Sequence, residues 1–190
     1  MIELETERLL LRKGRPTPPT QAELEADYHR YVTGFADPDV TFALYQDVIL
    51  GSYYKDKEGG PFGYYTIYPK GGDYWIGHCP LIPRLCTPAE VARFHPDGNA
   101  VAPYQTLEVE IGWALIMEAR GQGFATEAAR ALIDYGFQTL RVQRIVALTE
   151  RENPVSIRVM ERIGMVVDQR AESDQVIGCI ENLAIFRANQ

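Results

Sequence analysis

The chain has 190 residues, with 19 Lys and Arg against 26 Asp and Glu for a formal charge of −7, three cysteines and 46% hydrophobic residues. That length buries a core without staples and fits one domain over residues 1–190. The acidic balance excludes a protein whose affinity rests on a broad basic surface, so neither nucleic acid nor an anionic membrane is an expected partner.

Met1-Ile2-Glu3-Leu4-Glu5 carries no basic leader followed by an apolar stretch. No apolar run approaches the roughly 20 residues of a membrane span. A soluble, cytoplasmic protein is the expectation. Cys79, Cys86 and Cys179 are an odd set with no C-x-x-C pair, which suits a reducing compartment.

In chain order, Leu9-Leu10-Leu11 within Glu7 to Arg12 predicts a first strand, ended by turn residues from Gly14 to Pro19. Leu24, Tyr28, Tyr31, Val32 and Phe35 recur at helical spacing from Gln21 to Phe35, and Asp37-Pro38-Asp39 stops that helix. A second helix is expected from about Thr41 to Tyr54. Phe62 to Tyr68 and Asp73 to Leu81, joined by Pro69-Lys70-Gly71-Gly72, read as a hairpin. Ile82 to Tyr104 holds four prolines and no sustained period, which predicts a long functional or inserted loop.

Thr106 to Leu115 alternates Leu107, Val109, Ile111, Trp113 and Leu115 against Glu108, Glu110, Gly112 and Ala114, the pattern of a half-buried strand. Thr126 to Leu140 lines up Ala128, Ala129, Leu132, Ile133 and Phe137 on a helical stripe. Arg144 to Thr149 has the short apolar run of a buried parallel strand. Asn153 as N-cap, Pro154 as first helical residue and Gly164 beyond Ile163 bracket the next helix. Met165 to Asp168 and Val176 to Phe186 read as closing strands.

The chemistry concentrates in Arg120-Gly121-Gln122-Gly123-Phe124-Ala125-Thr126, between a strand and a helix. Two glycines there admit close backbone approach, and the unpaired N–H groups of a helix N-terminus attract a phosphate. A dinucleotide fingerprint needs a third glycine where Thr126 stands and an acidic residue roughly 20 positions on, and a P-loop needs G-K-[ST]. Neither is present. The remaining match is [QR]-x-x-G-x-[GA], met by Arg120, Gly123 and Ala125.

With Glu110-Ile111-Gly112-Trp113, Asn153-Pro154-Val155-Ser156-Ile157-Arg158-Val159, Gly164-Met165 and the opening Glu5-Thr6-Glu7-Arg8-Leu9, this signature resembles the GNAT acetyltransferases. Within them it resembles the branch containing ribosomal-protein N-terminal acetyltransferases. The resemblance implies an α/β fold with a mixed, mostly antiparallel sheet splayed between Thr106–Leu115 and Arg144–Thr149, flanked by helices. It implies acetyl-CoA as co-substrate, no metal, and an amine acceptor that is a protein N-terminus or a small molecule, with a homodimer allowed.

By the same matching, backbone of Leu115, Ile116 and Met117 would pair with the pantetheine arm. The N–H groups of Gln122 to Thr126, with Gly123, Phe124 and Ala125 between, would take the pyrophosphate, and Arg120 and Gly121 would complete the cofactor-binding set. Asn153 would bond the arm and Ser156 would lie near the thioester sulfur. Glu110 matches the position of a base, Leu115 or Ile116 N–H would meet the oxyanion, and Met160 stands where the family's usual acid, a tyrosine, is found.

Each residue also has a plainer role. Glu110 and Glu108 fit a solvated strand face, Ser156 a capped first turn and Asn153 a cap. His78, Cys79, Cys86 and His95 match no zinc spacing. The tyrosines between Tyr28 and Tyr74 suit core and edge packing. The competing function, encouraged by Met160, is a catalytically weak acyl-CoA-binding regulatory or partner protein.

Overall fold

The computed structural model describes residues 2–13, 20–35, 60–72, 74–94, 105–169 and 174–182. The chain forms two compact units, Met1–Pro80 with Trp113–Ala128, and Leu81–Gly112 with Ala129–Gln190.

In the first unit, β1 (Ile2–Glu5) and β2 (Leu9–Lys13) form an antiparallel hairpin, and β2 pairs antiparallel with β3 (Gly63–Pro69). The order β1-β2-β3 continues to the start of β4 (Gly77–Cys86). β6 (Ala114–Leu115) pairs antiparallel with that start. Alternation on β2 and β3 turns Leu9, Leu11, Tyr65 and Ile67 inward, all with no exposed surface. Helix α1 (Gln21–Phe35) begins with a capping box in which the Glu23 N–H donates to Thr20 Oγ1 and the Thr20 N–H to Glu23 Oε2. It buries Leu24.

In the second unit the order is β4, β5 (Thr106–Ile111), β7 (Arg144–Glu150), β9 (Gln175–Glu181), β8 (Val166–Asp168). Among the described residues all of its pairings are antiparallel except β5–β7. That parallel pair holds for only Val109↔Ile145 and Glu110↔Val146, and β5 ends at Ile111 while β7 runs on to Glu150 against β9. The splay expected between these strands takes this form. Helices α2 (Pro88–Phe94), α3 (Phe124–Gln138, of which residues from Ala129 lie here) and α4 (Pro154–Arg162) complete the unit. The core includes Leu132, Ile145, Val146, Met160, Val176 and Ile177.

Several expectations change. β1 precedes the strand read at Glu7 to Arg12. The hairpin's second strand starts at Gly77, after Tyr74 to Ile76, and continues to Cys86, and α2 follows it, so the supposed loop from Ile82 is regular structure up to Phe94, while residues 73 and 95–104 lie outside the described residues. Thr87-Pro88-Ala89-Glu90 is a capping box, with the Glu90 N–H donating to Thr87 Oγ1 and the Thr87 N–H to Glu90 Oε2. The strand over Thr106 to Leu115 is two pieces separated by Gly112 and Trp113.

Its inward face is also not the apolar one at the start. Leu107 is 68% exposed, whereas Glu108 is buried, because the Arg144 guanidinium binds both of its carboxylate oxygens at 2.6 and 3.1 Å. The helix expected from Thr41 to Tyr54 and the end of the last strand, residues 183–186, lie outside the described residues.

Candidate functional site

The first unit builds a cradle from β6 onward. The Ile116 N–H donates to the Ile76 carbonyl at 3.0 Å, and Ala114 and Leu115 pair with His78 and Gly77. Antiparallel alternation then turns the Leu115 N–H and C=O away from β4. Gly77 is required by the closeness of this pair, since a Cβ there would stand 2.1 Å from the Ala114 carbonyl oxygen. The Leu115 carbonyl accepts Arg120 Nε at 2.9 Å, across a 3₁₀ turn at Met117–Ala119. Gln122 Nε2 braces the same turn by donating to the Glu118 carbonyl at 2.8 Å.

Gly121 and Gly123 have φ of +75° and +83°, a left-handed backbone that side-chained residues rarely adopt. Among the described residues a Cβ on Gly121 would meet nothing within 4 Å, and one on Gly123 only Arg8 Nη2 at 3.5 Å. The first helical bond of α3 runs from Glu127 N–H to the Gly123 carbonyl at 3.0 Å. The N–H groups of Gly123, Phe124, Ala125 and Thr126 therefore have no partner within the helix and converge at the positive end of its dipole. This is an anion-binding geometry.

The reading of the sequence missed what holds the cradle. Glu127, in the first turn of α3, accepts Thr6 Oγ1 at 2.6 Å and the Arg8 N–H at 2.9 Å on one oxygen, and Arg8 Nε and Nη2 at 2.7 and 2.6 Å on the other. Burial alone would raise its pKa, but the Thr6 hydroxyl and the Arg8 amide and guanidinium outweigh that and hold the carboxyl below its ordinary range. Arg8 Nη1 also donates to the Gln122 carbonyl at 3.0 Å, and its guanidinium lies 4.6 Å above the Phe124 ring. These partners are more than a hundred positions apart in the chain, so no local pattern announces them.

The second unit holds the remaining expected residues. Glu110 is partly buried and fixed by backbone pairing to both Ile82 and Val146. Arg84 Nη1 reaches its carboxylate at 3.3 Å while Nη2 binds Glu90 at 2.6 Å. Asn153 Oδ1 accepts the Ser156 N–H at 3.1 Å, so the capping role of Asn153 is met and Ser156 sits in the first turn of α4. Met160 has no exposed surface, and its Sδ and Cγ lie 3.1 and 3.3 Å from where a Cβ on Gly178 would stand. The side chain at 160 is therefore core packing. Burial pushes the Cys79 thiol up and the Cys179 thiol to about 12, so both are protonated and poor nucleophiles at neutral pH. Among the described residues no cluster of three His, Cys, Asp or Glu is placed to hold a metal.

A strand, a glycine turn and a bare helix N-terminus in this order agree with the comparison by family: the acetyltransferase (GNAT) domain matches residues 8–166. The chain belongs to the GNAT family. The matched span of this GNAT chain contains the cradle, Glu110, Asn153 and Ser156. It is 45% identical over 56 residues to an uncharacterized N-acetyltransferase, YnaD, of Bacillus subtilis, a match covering 30% of this chain and 33% of that protein. The chain thus matches about a third of the length of that curated relative. An acetyltransferase structure from Agrobacterium tumefaciens is 26% identical, with 95% of each chain covered and a TM-score of 0.64. RimL, a ribosomal L7/L12 alpha-N-protein acetyltransferase solved in complex with coenzyme A, shares the fold at a TM-score of 0.65 and 14% identity, over 95% of this chain and 98% of that one.

Proposed function

We propose that the protein transfers the acetyl group of acetyl-CoA to a primary amine by direct attack in a ternary complex. The observation that carries this reading is the cradle at Gly121 to Thr126, where two left-handed glycines and four helix-terminal N–H groups fit a pyrophosphate. In this reading residues 1–190 work as one catalytic domain, because the family match runs through both units. Backbone of Leu115 to Met117 offers strand-like pairing to the pantetheine arm, and Asn153 and Ser156 serve the arm and the sulfur.

Glu110 takes the amine proton as the nitrogen bonds to the thioester carbon. The Leu115 N–H stabilises the oxyanion, since Ile116 N–H is committed to Ile76. As the carbon–sulfur bond breaks, the thiolate receives a proton from Ser156 or water, and its low basicity eases departure. The core position of Met160 leaves that residue outside the proton path. No metal takes part, and the protein acts in the cytoplasm. The acceptor is a protein N-terminus, in keeping with the branch the sequence resembles, or a small cationic amine.

Calorimetry with acetyl-CoA and a thiol-release screen over peptides with free N-termini, lysine side chains and small amines test the reading. The wild type binds acetyl-CoA and releases thiol with one of these classes, and Gly123→Val abolishes the acetyl-CoA-induced rise in melting temperature. Absence of binding by the wild type sinks the proposal. Binding with no turnover on any amine replaces it with the acyl-CoA-binding regulator.

A further inference from the structure

Arg8 is the only residue of the β1–β2 turn whose side chain reaches both ends of the cradle among the described residues, bonding the Gln122 carbonyl before the glycine and the Glu127 carboxylate after it. The Gln122–Gly123 peptide is trans, so its C=O and N–H point in opposite directions. Holding the Gln122 carbonyl on Arg8 Nη1 therefore aims the Gly123 N–H away from Arg8. Glycine at φ +83° is free to flip this peptide plane, so its orientation needs an external restraint.

We infer that Arg8 is a positioning residue that, clamped to Glu127, sets the Gln122–Gly123 peptide plane so that the Gly123 N–H faces the bound phosphate. Arg8 does this through the peptide, since Nε and Nη2 are held by Glu127 and Nη1 by the Gln122 carbonyl. Thr6 and the Arg8 backbone N–H hold the other carboxylate oxygen, which fixes the clamp relative to the first turn of α3. A lysine keeps the charge but lacks the planar fork that bonds a carboxylate and a carbonyl at once.

The inference rests on the acetyl-CoA reading, and the test separates the two. The Kd for coenzyme A is measured by calorimetry for the wild type, Arg8→Gln and Arg8→Lys. With the best amine from the acceptor screen, kcat/KM is compared for acetyl-CoA and for S-acetylpantetheine, which lacks the pyrophosphate. Both variants are expected to weaken coenzyme A by about tenfold, the loss from misdirecting one N–H bonded to a charged group. The ratio of kcat/KM for acetyl-CoA over S-acetylpantetheine falls in parallel, which a general loss of structure does not produce.

Should Arg8→Gln fail to fold, Arg8→Lys carries the test, with the unligated melting temperature reporting its integrity. A Kd within threefold of wild type overturns the inference, as does an equal fall with both thioesters. A wild type that binds no coenzyme A removes the acetyl-CoA reading and this inference together.

Discussion

Glu110 is held on both sides by main chain, opposite Ile82 on β4 and Val146 on β7, so its side-chain direction is set by the sheet rather than by its own rotamers. Arg84 adds one long contact at 3.3 Å and commits its shorter one, 2.6 Å, to Glu90. A carboxylate so placed keeps lone pairs available for a proton from an amine or from a bridging water. Replacing it by glutamine preserves size and the Arg84 contact but removes the proposed base. For Glu110→Gln the expectation is a fall in kcat of about 10²- to 10⁴-fold, with the Kd for acetyl-CoA held within about twofold. Steady-state thiol release and calorimetry measure the two quantities. Turnover at the wild-type level would assign the proton transfer elsewhere and leave Glu110 as a paired surface carboxylate.

Among the elements, those that declare their ends locally were readable and those held by distant partners were not. Asn153, Pro154 and Gly164 bracket α4 with standard capping chemistry, and the helix follows. Gly121 and Gly123 revealed the cradle because a left-handed turn before a helix has few other solutions. α2 carried an equally local signal, Thr87 to Glu90, hidden among prolines that suggested a loop. β5 misled because alternation assumes that charge faces water, and here the Arg144 guanidinium on β7 makes burial of Glu108 tolerable. That pair also ties the two strands at the short stretch where they run parallel. Glu108→Ala takes the two-oxygen carboxylate contact from the largely buried Arg144, leaving the more distant Glu181 at 3.6 Å, and should destabilise the fold by about 3 kcal/mol. The double variant Glu108→Leu, Arg144→Leu recovers most of that loss. Urea unfolding midpoints decide, and a single variant as stable as wild type would make the pair energetically idle.

At the scale of the whole molecule, the charge of −7 and the anionic cofactor of the proposed reaction are reconciled by where the affinity would come from. In the proposed reading the helix-terminal N–H groups act over a few ångströms on a pyrophosphate seated against them, whereas the field of the surface carboxylates is screened beyond about 10 Å at 0.1 M salt. A cationic amine is attracted by the same long-range field that the cofactor must overcome. The two substrates should therefore respond differently to ionic strength. Between about 50 and 500 mM sodium chloride, the KM of a cationic acceptor is expected to rise several-fold while the Kd for coenzyme A stays within about threefold. Initial-rate kinetics and calorimetry across that series provide the comparison. An acceptor KM indifferent to salt would mean that the negative surface plays no part in recruiting the amine, and selectivity would then rest on short-range contacts alone. A coenzyme A affinity that drops steeply with salt would instead place a substantial cationic contribution in the cofactor site, beyond the backbone cradle.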